Sequence, residues 1–194
     1  EVVWTMHNLI TQGKILYWGT SQWSAAEIME AHRVADQHHL IGPTVEQPQY
    51  NMFERFKMEQ DYLPVFKNKG LGTTIWSPLG AGFLTGKYND GVPADSRLSL
   101  EGFDWLKERW VQETKIEKVK SLSALASELG MSMAALAIAW TLKNPHVTTA
   151  ILGATKETQL LENLKALDAQ KLLTTEVMDR IDAILGNKPF MDLA

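Results

Sequence analysis

Short apolar runs alternate along this chain with longer segments of helical periodicity. The runs are bounded by glycine or proline and fall at 14–20 (KILYWGT), 44–47 (TVEQ), 72–76 (GTTIW) and 148–152 (TTAIL). Between the third and fourth runs, apolar residues recur at every third or fourth position, as at Ile116, Val119 and Leu122, which favours helix over strand. Strands that alternate with helices predict βα units and a parallel sheet.

Capping residues predict where several helices begin and end. Ser24 and Glu27 form a capping-box pattern that opens a helix reaching about His39. Gly70 is placed to end a helix within 53–69 by taking a left-handed conformation, and Pro64 either kinks that helix or marks its true start. Further helices are predicted at 1–12, 105–129, 132–143, 156–168 and 175–185, with a loop at 80–100.

The spacing of the strands predicts part of a barrel. The first three runs begin near 15, 44 and 72, close to the roughly 31 residues per unit of an eight-fold βα barrel. We therefore expect an α/β chain of about four βα units plus extra helices, the C-terminal half of a (β/α)8 TIM-type barrel. Residues 1–194 are expected to form one partial domain. Four strands cannot close a barrel, and the chain opens inside a predicted helix, so an absent N-terminal half is expected before Glu1.

Composition excludes several classes of function. The chain has 194 residues, 45% hydrophobic and 22% charged, with a net charge of −4, so nothing favours nucleic acid or an anionic membrane surface as a partner. The absence of cysteine rules out disulfides, thiolate nucleophiles and cysteine-bound zinc. No apolar run reaches the length of a membrane span. We expect a cytoplasmic protein without direct membrane insertion.

Candidate chemistry lies where the predicted strands end, since parallel barrels gather function at the carboxyl ends of their strands. These ends are 19–23 (GTSQW), 46–50 (EQPQY), 76–80 (WSPLG) and 152–155 (LGAT). Neutral hydrogen-bonding groups beside aromatic rings suit a polar, planar ligand, with Trp76 as a stacking surface. Taken singly, serine, threonine and glutamine at such positions more often serve as caps and turn formers.

The stretch after the third strand has features of a phosphate site. Gly80 and Gly82 allow a close backbone approach, and Lys87 and Arg97 supply positive charge. As a motif the G-x-G is weak, because it lacks the third glycine of a dinucleotide fingerprint.

The fourth strand leads through Gly153 into the predicted helix 156–168, whose free N–H groups favour an anion. Gln159, Glu162 and Asn163 share one face of that helix, and the alternative interpretation is a solvated polar face. The five histidines lack metal-ligand spacing, so no metal site is predicted. No residue is identified as a general acid, and no catalytic residue is assigned.

Seven sequence segments together resemble the aldo-keto reductase superfamily. More narrowly, the chain is similar to the branch that includes the cytoplasmic β subunits of voltage-gated potassium channels and their bacterial relatives. The segments are YWGTSQW (17–23), EQPQYNMF (46–53), WSPLGAGFLTGKY (76–88), SR (96–97), LAIAW (136–140), ILGATKETQLLEN (151–163) and ILGNKP (184–189). They occur in order across nearly the whole chain, and as a set they are highly specific.

The resemblance implies an NADP(H)-binding barrel that reduces aldehydes and ketones by hydride transfer. By matching motif, Ser21 and Gln47 bind the nicotinamide carboxamide and Trp76 stacks on the nicotinamide ring. Arg97 meets the adenosine 2′-phosphate. The other cofactor-binding positions implied are Gln22 and Pro78 within the same motifs, Ser77, Leu79, Gly80 and Lys87 at the pyrophosphate, and Gly153, Thr155, Gln159, Glu162 and Asn163 at the adenosine.

The chain departs from the family pattern in two ways. Position 22 is glutamine where the channel-subunit branch has arginine in GTSRW, which removes any ionic contact from that residue. The family's catalytic Asp, Tyr, Lys and His belong to the first four units, which are not in this chain. Tyr50 follows Gln47 closely, but it is not the family's proton-donating tyrosine.

Three hypotheses follow. The first is a reductase of small carbonyl compounds whose cofactor-binding half is this chain. The second is a regulatory β subunit of a potassium channel, in which bound NADP(H) is a structural or redox-sensing ligand. The third is an incomplete chain without activity, which is favoured over catalysis for the polypeptide by itself. The expected partners are the N-terminal half, further copies in a homotetramer, and the cytoplasmic domain of a channel.

Overall fold

The computed structural model describes residues 1–190. The strands are β1 (Gly19–Ser21), β2 (Val45–Gln47), β3 (Gly72–Trp76) and β4 (Thr149–Ile151). The α-helices are α1 (Val2–Thr11), α2 (Ala25–His38), α3 (Leu63–Lys69), α4 (Asp104–Trp110), α5 (Glu113–Glu128), α6 (Met133–Leu142), α7 (Glu157–Leu164), α8 (Ala166–Ala169) and α9 (Thr175–Leu185). A π-helical turn spans Lys57–Asp61, and 3-10 helices span Gly80–Thr85, Arg97–Ser99 and Gln170–Leu172.

The four strands form one parallel sheet in the order β1-β2-β3-β4. Ser21 pairs with Gln47 across β1 and β2, and Trp76 pairs with Ile151 across β3 and β4. Helices connect each strand to the next, as parallel pairing requires. This is the architecture of a partial (β/α)8 barrel, and the predicted α/β class with four βα units and additional helices is confirmed.

The two faces of the sheet differ in what covers them. Glu46, Thr73 and Ile75 point to one face and are fully buried there beneath the helices. Because successive strand residues alternate between faces, Ser21 and Gln47 lie on the opposite face, where both are exposed. Within residues 1–190 the second face is therefore bare, and the strand-end residues of the candidate site line it.

The main core lies between the covered face and the helices. Helix α6 is at its centre, with every residue from Met133 to Thr141 buried. A smaller cluster joins α1 and α2 through Val3, Trp18 and Ala31. Within residues 1–190, no single helix has both the length and the apolar composition of a membrane span. Helices α5 and α6 meet those criteria only as a pair, across a 91° bend.

Several predicted boundaries are confirmed. Helix α2 begins with the predicted capping box, in which the side chains of Ser24 and Glu27 bond each other's backbone N–H groups. Pro64 lies in the first turn of α3, and Gly70 ends that helix in the left-handed region with φ 61°. The predicted strand 72–76 matches β3 residue for residue.

The predicted strand 14–20 is wrong over most of its length. Strand β1 covers only Gly19–Ser21, and the side chains of Leu16 and Tyr17 are 80% and 74% exposed. The ladder upstream stops at the bond from the Thr44 N–H to the Trp18 carbonyl, because Pro43 has no N–H to donate.

Two predicted helices are each divided in the structure. The predicted helix 105–129 is α4 and α5, separated at Val111, whose ψ of 76° is not helical. The Lys115 ammonium donates to the Arg109 carbonyl at 2.8 Å, which satisfies an acceptor left free by the break. The predicted helix 156–168 is likewise divided into α7 and α8 at Lys165.

Candidate functional site

The ends of β1 and β2 bring two predicted ligand-binding side chains together on the bare face. Ser21 and Gln47 are register partners, and the Ser21 hydroxyl donates to the Gln47 carbonyl at 2.9 Å. The Gln47 side-chain amide donates to the Thr74 hydroxyl on β3 at 3.4 Å. The side chains of Ser21 and Gln47 are otherwise exposed, so they present hydroxyl and amide groups to a ligand on this face.

Trp76 ends β3 and is fixed through its backbone. Its N–H donates to the Pro48 carbonyl at 3.0 Å, and its carbonyl accepts from the Tyr50 N–H at 3.3 Å. The residue is half-buried, on the bare face, between the ends of β2 and β4. A partly exposed indole held in this way is a surface on which a planar ring can stack.

The loop after β3 has a run of left-handed backbone conformations. Ser77, Gly80, Ala81 and Gly82 have φ values of 56°, 53°, 56° and 88°. The Ser77 hydroxyl accepts from the Ala81 N–H at 3.3 Å, and the Ser77 carbonyl accepts from the Asn51 side-chain amide at 3.0 Å. These bonds fix a tight turn at the end of the strand, where small residues let a ligand approach the backbone.

The same loop is packed onto the core through neighbouring residues. Pro78 is buried and Leu79 is half-buried. A Cβ on Gly80 would lie 2.7 Å from the Trp110 ring, so that position accepts only glycine without a shift of the ring. The weak G-x-G signal thus marks a close approach of the backbone to a core residue.

Two cations follow this turn. The Lys87 side chain folds back toward Gly82, where a Cβ would lie 3.1 Å from the ammonium nitrogen. The Arg97 guanidinium carbon lies 5.5 Å from the centre of the Phe103 ring. Both cationic side chains are exposed, so each is accessible to an anionic group of a ligand.

The loop after β4 places the remaining predicted residues on and before α7. Gly153 and Thr155 are exposed, and the Thr155 N–H donates to the Gln159 side-chain oxygen at 2.9 Å. Hydrogen bonds from Lys165 and Ser132 hold the pKa of the Glu162 carboxyl below its usual value. Gln159 is exposed, Glu162 is half-buried and Asn163 is only 6% exposed, so this face is solvated at Gln159 and buried at Asn163.

A group of residues beneath the β1–α2 turn could not be identified from the sequence. Glu46 is fully buried on the covered face, and one of its carboxylate oxygens accepts from the Thr20 hydroxyl. Lys57 and Tyr62 donate to carbonyls of the same turn. The signal that could have found this group is Glu46 itself, because a carboxylate on the covered face of a strand needs hydrogen-bond partners.

Tyr50 lies near the strand ends, but its hydroxyl faces the helix layer. The hydroxyl donates to Glu59 at 2.8 Å and accepts from Asn144 at 3.3 Å. Burial and the Glu59 charge raise its pKa above the usual value. Within the part of the chain that the structure describes, no group of three or more histidine and acidic side chains is placed to hold a metal ion.

The fold and this edge of the sheet define a class, and comparison with known proteins identifies it. The aldo/keto reductase family model matches residues 1–186. The chain belongs to the aldo/keto reductase family.

Individual relatives are more specific. The chain is 52% identical over 190 residues to a "Probable voltage-gated potassium channel subunit beta" from Oryza sativa and 49% identical to the protein of the same name from Arabidopsis thaliana. It is 47% identical over 191 residues to a "Putative voltage-gated potassium channel subunit beta" from Schizosaccharomyces pombe. These alignments cover 97% of this chain but only 58%, 58% and 56% of the relatives.

Aldo/keto reductases typically use a nicotinamide cofactor, and the residues at this edge fit one. The indole of Trp76 suits the nicotinamide ring, and the groups of Ser21 and Gln47 suit its carboxamide. The left-handed turn and the two exposed cations that follow it suit a chain of phosphates.

Proposed function

We propose that the protein containing this chain is an NADP(H)-dependent oxidoreductase that reduces aldehydes and ketones by hydride transfer. The observation that carries this proposal is Trp76, half-buried on the bare face, with Ser21 and Gln47 at the neighbouring strand ends and Lys87 and Arg97 after it. In this proposal the chain is the cofactor-binding half, and the bound cofactor supplies the hydride.

Each part of the site has an assigned role in this proposal. Ser21 and Gln47 bind the carboxamide, and Trp76 holds the ring so that one of its faces is open. The loop residues Gln22, Ser77, Pro78, Leu79, Gly80 and Lys87 hold the nicotinamide side and the pyrophosphate. The residues Gly153, Thr155, Gln159, Glu162 and Asn163 hold the adenosine.

Arg97 gives the proposal its sharpest test, because its guanidinium is assigned to the 2′-phosphate that NADPH has and NADH lacks. In the full-length protein that contains this chain, Arg97→Ala is expected to weaken NADPH binding about 10- to 100-fold, the usual range for a lost charge-assisted contact. NADH binding should change less than about twofold, since that contact is absent. Fluorescence titration with both cofactors measures the difference.

A matched control is Arg33→Ala, which removes an exposed arginine paired with Glu30 on α2 and is expected to leave both affinities unchanged. Equal weakening of NADPH and NADH by Arg97→Ala would refute the 2′-phosphate assignment. If the unaltered protein does not bind NADPH, the assignment of NADP(H) as its cofactor is refuted.

The proton-transfer groups of this reaction are assigned to the portion outside the chain. The Tyr50 hydroxyl faces Glu59 and Asn144 in the helix layer, so it is not placed to protonate a substrate on the bare face. The small carbonyl substrate is therefore proposed to lie between this chain and an N-terminal half. The relatives, of which this chain covers 58%, have the length for such a half.

A second candidate function is favoured by the names of the relatives. They are called voltage-gated potassium channel β subunits at 47–52% identity. In this alternative the protein is a cytoplasmic homotetramer bound to a channel, and NADP(H) is a structural or redox-sensing ligand. Copurification with the cytoplasmic domain of a channel would favour it. Rapid steady-state turnover without channel binding would favour the reductase.

A further inference from the structure

The turn between β1 and α2 is held from beneath by side chains of two other elements. Glu46, on the covered face of β2, is fully buried and accepts from the Thr20 hydroxyl. Gln22 has a left-handed φ of 63°, a conformation that a non-glycine residue keeps only where its surroundings fix it. The buried carboxylate therefore holds Thr20, the residue that precedes Ser21.

A second set of bonds holds the carbonyl groups of the same turn. The Lys57 ammonium donates to the Gln22 carbonyl at 2.6 Å and to the Trp23 carbonyl at 3.1 Å. The Tyr62 hydroxyl donates to the Trp23 carbonyl at 2.6 Å. Glu46, Lys57 and Tyr62 thus hold the backbone from the end of β1 to the start of α2, and we call them the turn clamp.

The clamp depends on the π-helical turn Lys57–Asp61. The Tyr62 N–H bonds the Lys57 carbonyl at 2.8 Å, five residues back, whereas an α-helix would separate these two side chains by about 140° around its axis. The wider π turn brings both onto one side, toward the β1–α2 turn. Asp61, in the same turn, accepts from the Ala25 N–H at 3.1 Å. Single π turns within helical segments are frequently found at functional sites.

The turn clamp does more than stabilise the start of helix α2. The N-terminus of α2 is already capped by its own residues, since Ser24 and Glu27 form a complete capping box. The clamp bonds instead go to Thr20, Gln22 and Trp23, which lie before that cap. The segment they fix contains Ser21, whose hydroxyl reaches the bare face beside Gln47.

We propose that Lys57, Tyr62 and Glu46 are positioning residues for the nicotinamide end of the cofactor site. They act by fixing the Thr20–Trp23 turn, so that Ser21 meets the carboxamide in one orientation. This inference rests on the proposed function, because it requires a nicotinamide cofactor at the bare face. The contacts that support this role are all with the turn itself.

Two conservative variants of the full-length protein test the clamp. Lys57→Met removes the ammonium and keeps an unbranched side chain, and Tyr62→Phe removes only the hydroxyl from a buried ring. Each is expected to weaken NADPH binding about fivefold or more, the loss of one or two hydrogen bonds to a positioned segment. Because both side chains donate to the Trp23 carbonyl, the fold-loss of NADPH affinity in the double variant should exceed the product of the two single fold-losses.

A second ligand separates positioning from general destabilisation. Adenosine 2′,5′-bisphosphate has the phosphates of the adenosine end but no nicotinamide, so its affinity should change less than about twofold in every variant. Lys67→Met, an exposed lysine on α3, is the matched control and should leave both affinities unchanged. Isothermal titration calorimetry with both ligands measures the two affinities. If Tyr62→Phe does not fold, the same comparison for Lys57→Met alone tests the inference.

The inference is overturned if the double variant binds NADPH as the unaltered protein does, or if both ligands weaken equally. Either result leaves the proposed function standing. The proposed function itself is contradicted if the unaltered protein binds adenosine 2′,5′-bisphosphate as tightly as NADPH. The nicotinamide half would then add no affinity, and Ser21, Gln47 and Trp76 would not bind it.

Discussion

At the scale of single residues, the loop after β3 depends on a close approach that only glycine permits. Gly80 has a φ of 53°, and a Cβ there would lie 2.7 Å from the Trp110 ring. Trp110 is buried and packed against the rings of Phe53 and Phe83, so it has little freedom to move away. Backbone conformation and side-chain packing therefore both select glycine at this position.

Gly80→Ala is expected to lower the free energy of unfolding by about 2–4 kcal/mol, combining left-handed strain with overpacking against Trp110. Gly130→Ala is the matched control, because Gly130 has a similar φ of 70° and nothing within 4 Å of its added Cβ. It should cost about 1 kcal/mol, from the backbone alone. Chemical denaturation of both variants measures the two values, and equal losses would show that the Trp110 contact is unimportant.

The sequence indicated Gly80 but not its partner, and it did not indicate the role of Glu46. Trp110 lies thirty residues further along the chain, and no local pattern reports a contact at that distance. The run 44–47 is too short to show which strand face is covered, so Glu46 could not be assigned to the buried face. Ser21, Gln47 and Trp76 could be placed at strand ends from the sequence, because strand ends follow from local turn signals.

At the scale of elements, one buried ion pair joins the segment after β2 to the last helix. Arg55 and Asp182 on α9 are 2.7 Å apart, with side chains 4% and 15% exposed. Arg55 also pairs with Glu59 at 2.8 Å and lies 5.1 Å from the Trp140 ring centre. Burial raises the pKa of the Asp182 carboxyl, but hydrogen bonds from Lys188 and Arg55 outweigh it and hold that pKa below its usual value.

Asp182→Asn is expected to cost about 3 kcal/mol of stability at pH 7, the lower end of the range for broken buried pairs. A lowered folded-state pKa stabilises the protein at pH values above the unfolded pKa, about 3.9, and this contribution is lost as pH falls through the folded value. The difference in the free energy of unfolding between the unaltered protein and the variant should therefore become smaller below about pH 4. Urea denaturation from pH 7 to 3 measures it.

Glu128→Gln provides the control for that series. Glu128, on α5, pairs with Arg180 of α9, and this pair is exposed. The substitution should cost less than about 1 kcal/mol. A cost equal to that of Asp182→Asn would mean that burial of the Arg55 pair contributes nothing.

Element boundaries were predictable where the sequence carries a stop signal and not elsewhere. β3 lies between Gly70 and the Ser77-Pro78 pair, and both of its ends were predicted. The break between α4 and α5 has no glycine or proline, since Val111 and Gln112 occupy it. Burial of Trp110 in the core and the bond from Lys115 to the Arg109 carbonyl accompany that break, and both depend on tertiary structure.

At the scale of the whole molecule, exposed apolar side chains lie next to both ends of the sheet. Leu16 and Tyr17 are exposed just before β1, at one end of the strand order. Ile151 of β4 and several leucines after it are exposed at the other end, namely Leu160, Leu161, Leu164 and Leu167. Monomeric proteins rarely leave contiguous apolar patches of this kind in water. Their position supports the proposal that further chain pairs with β1 and β4 and covers the bare face.

The 194-residue chain by itself is therefore expected to self-associate in the micromolar range, through its open strand edges and apolar patches. Sedimentation velocity should show species larger than the 21.8 kDa monomer. Changing Leu160, Leu164 and Leu167 together to glutamine should shift the distribution toward monomer, because these side chains are about half exposed or more. Leu100→Gln, an exposed leucine far from the sheet ends in sequence, should leave the distribution unchanged.

The full-length protein provides the decisive comparison for this prediction. If further chain covers the patches, the leucine substitutions should destabilise the full-length protein by about 1 kcal/mol or more per side chain, whereas they improve the behaviour of the isolated chain. One set of substitutions would then have opposite effects in the two proteins, which a general change in solubility does not produce. A monomeric isolated chain, or a full-length protein indifferent to the substitutions, would remove the argument that these leucines lie at the junction of two halves of one barrel.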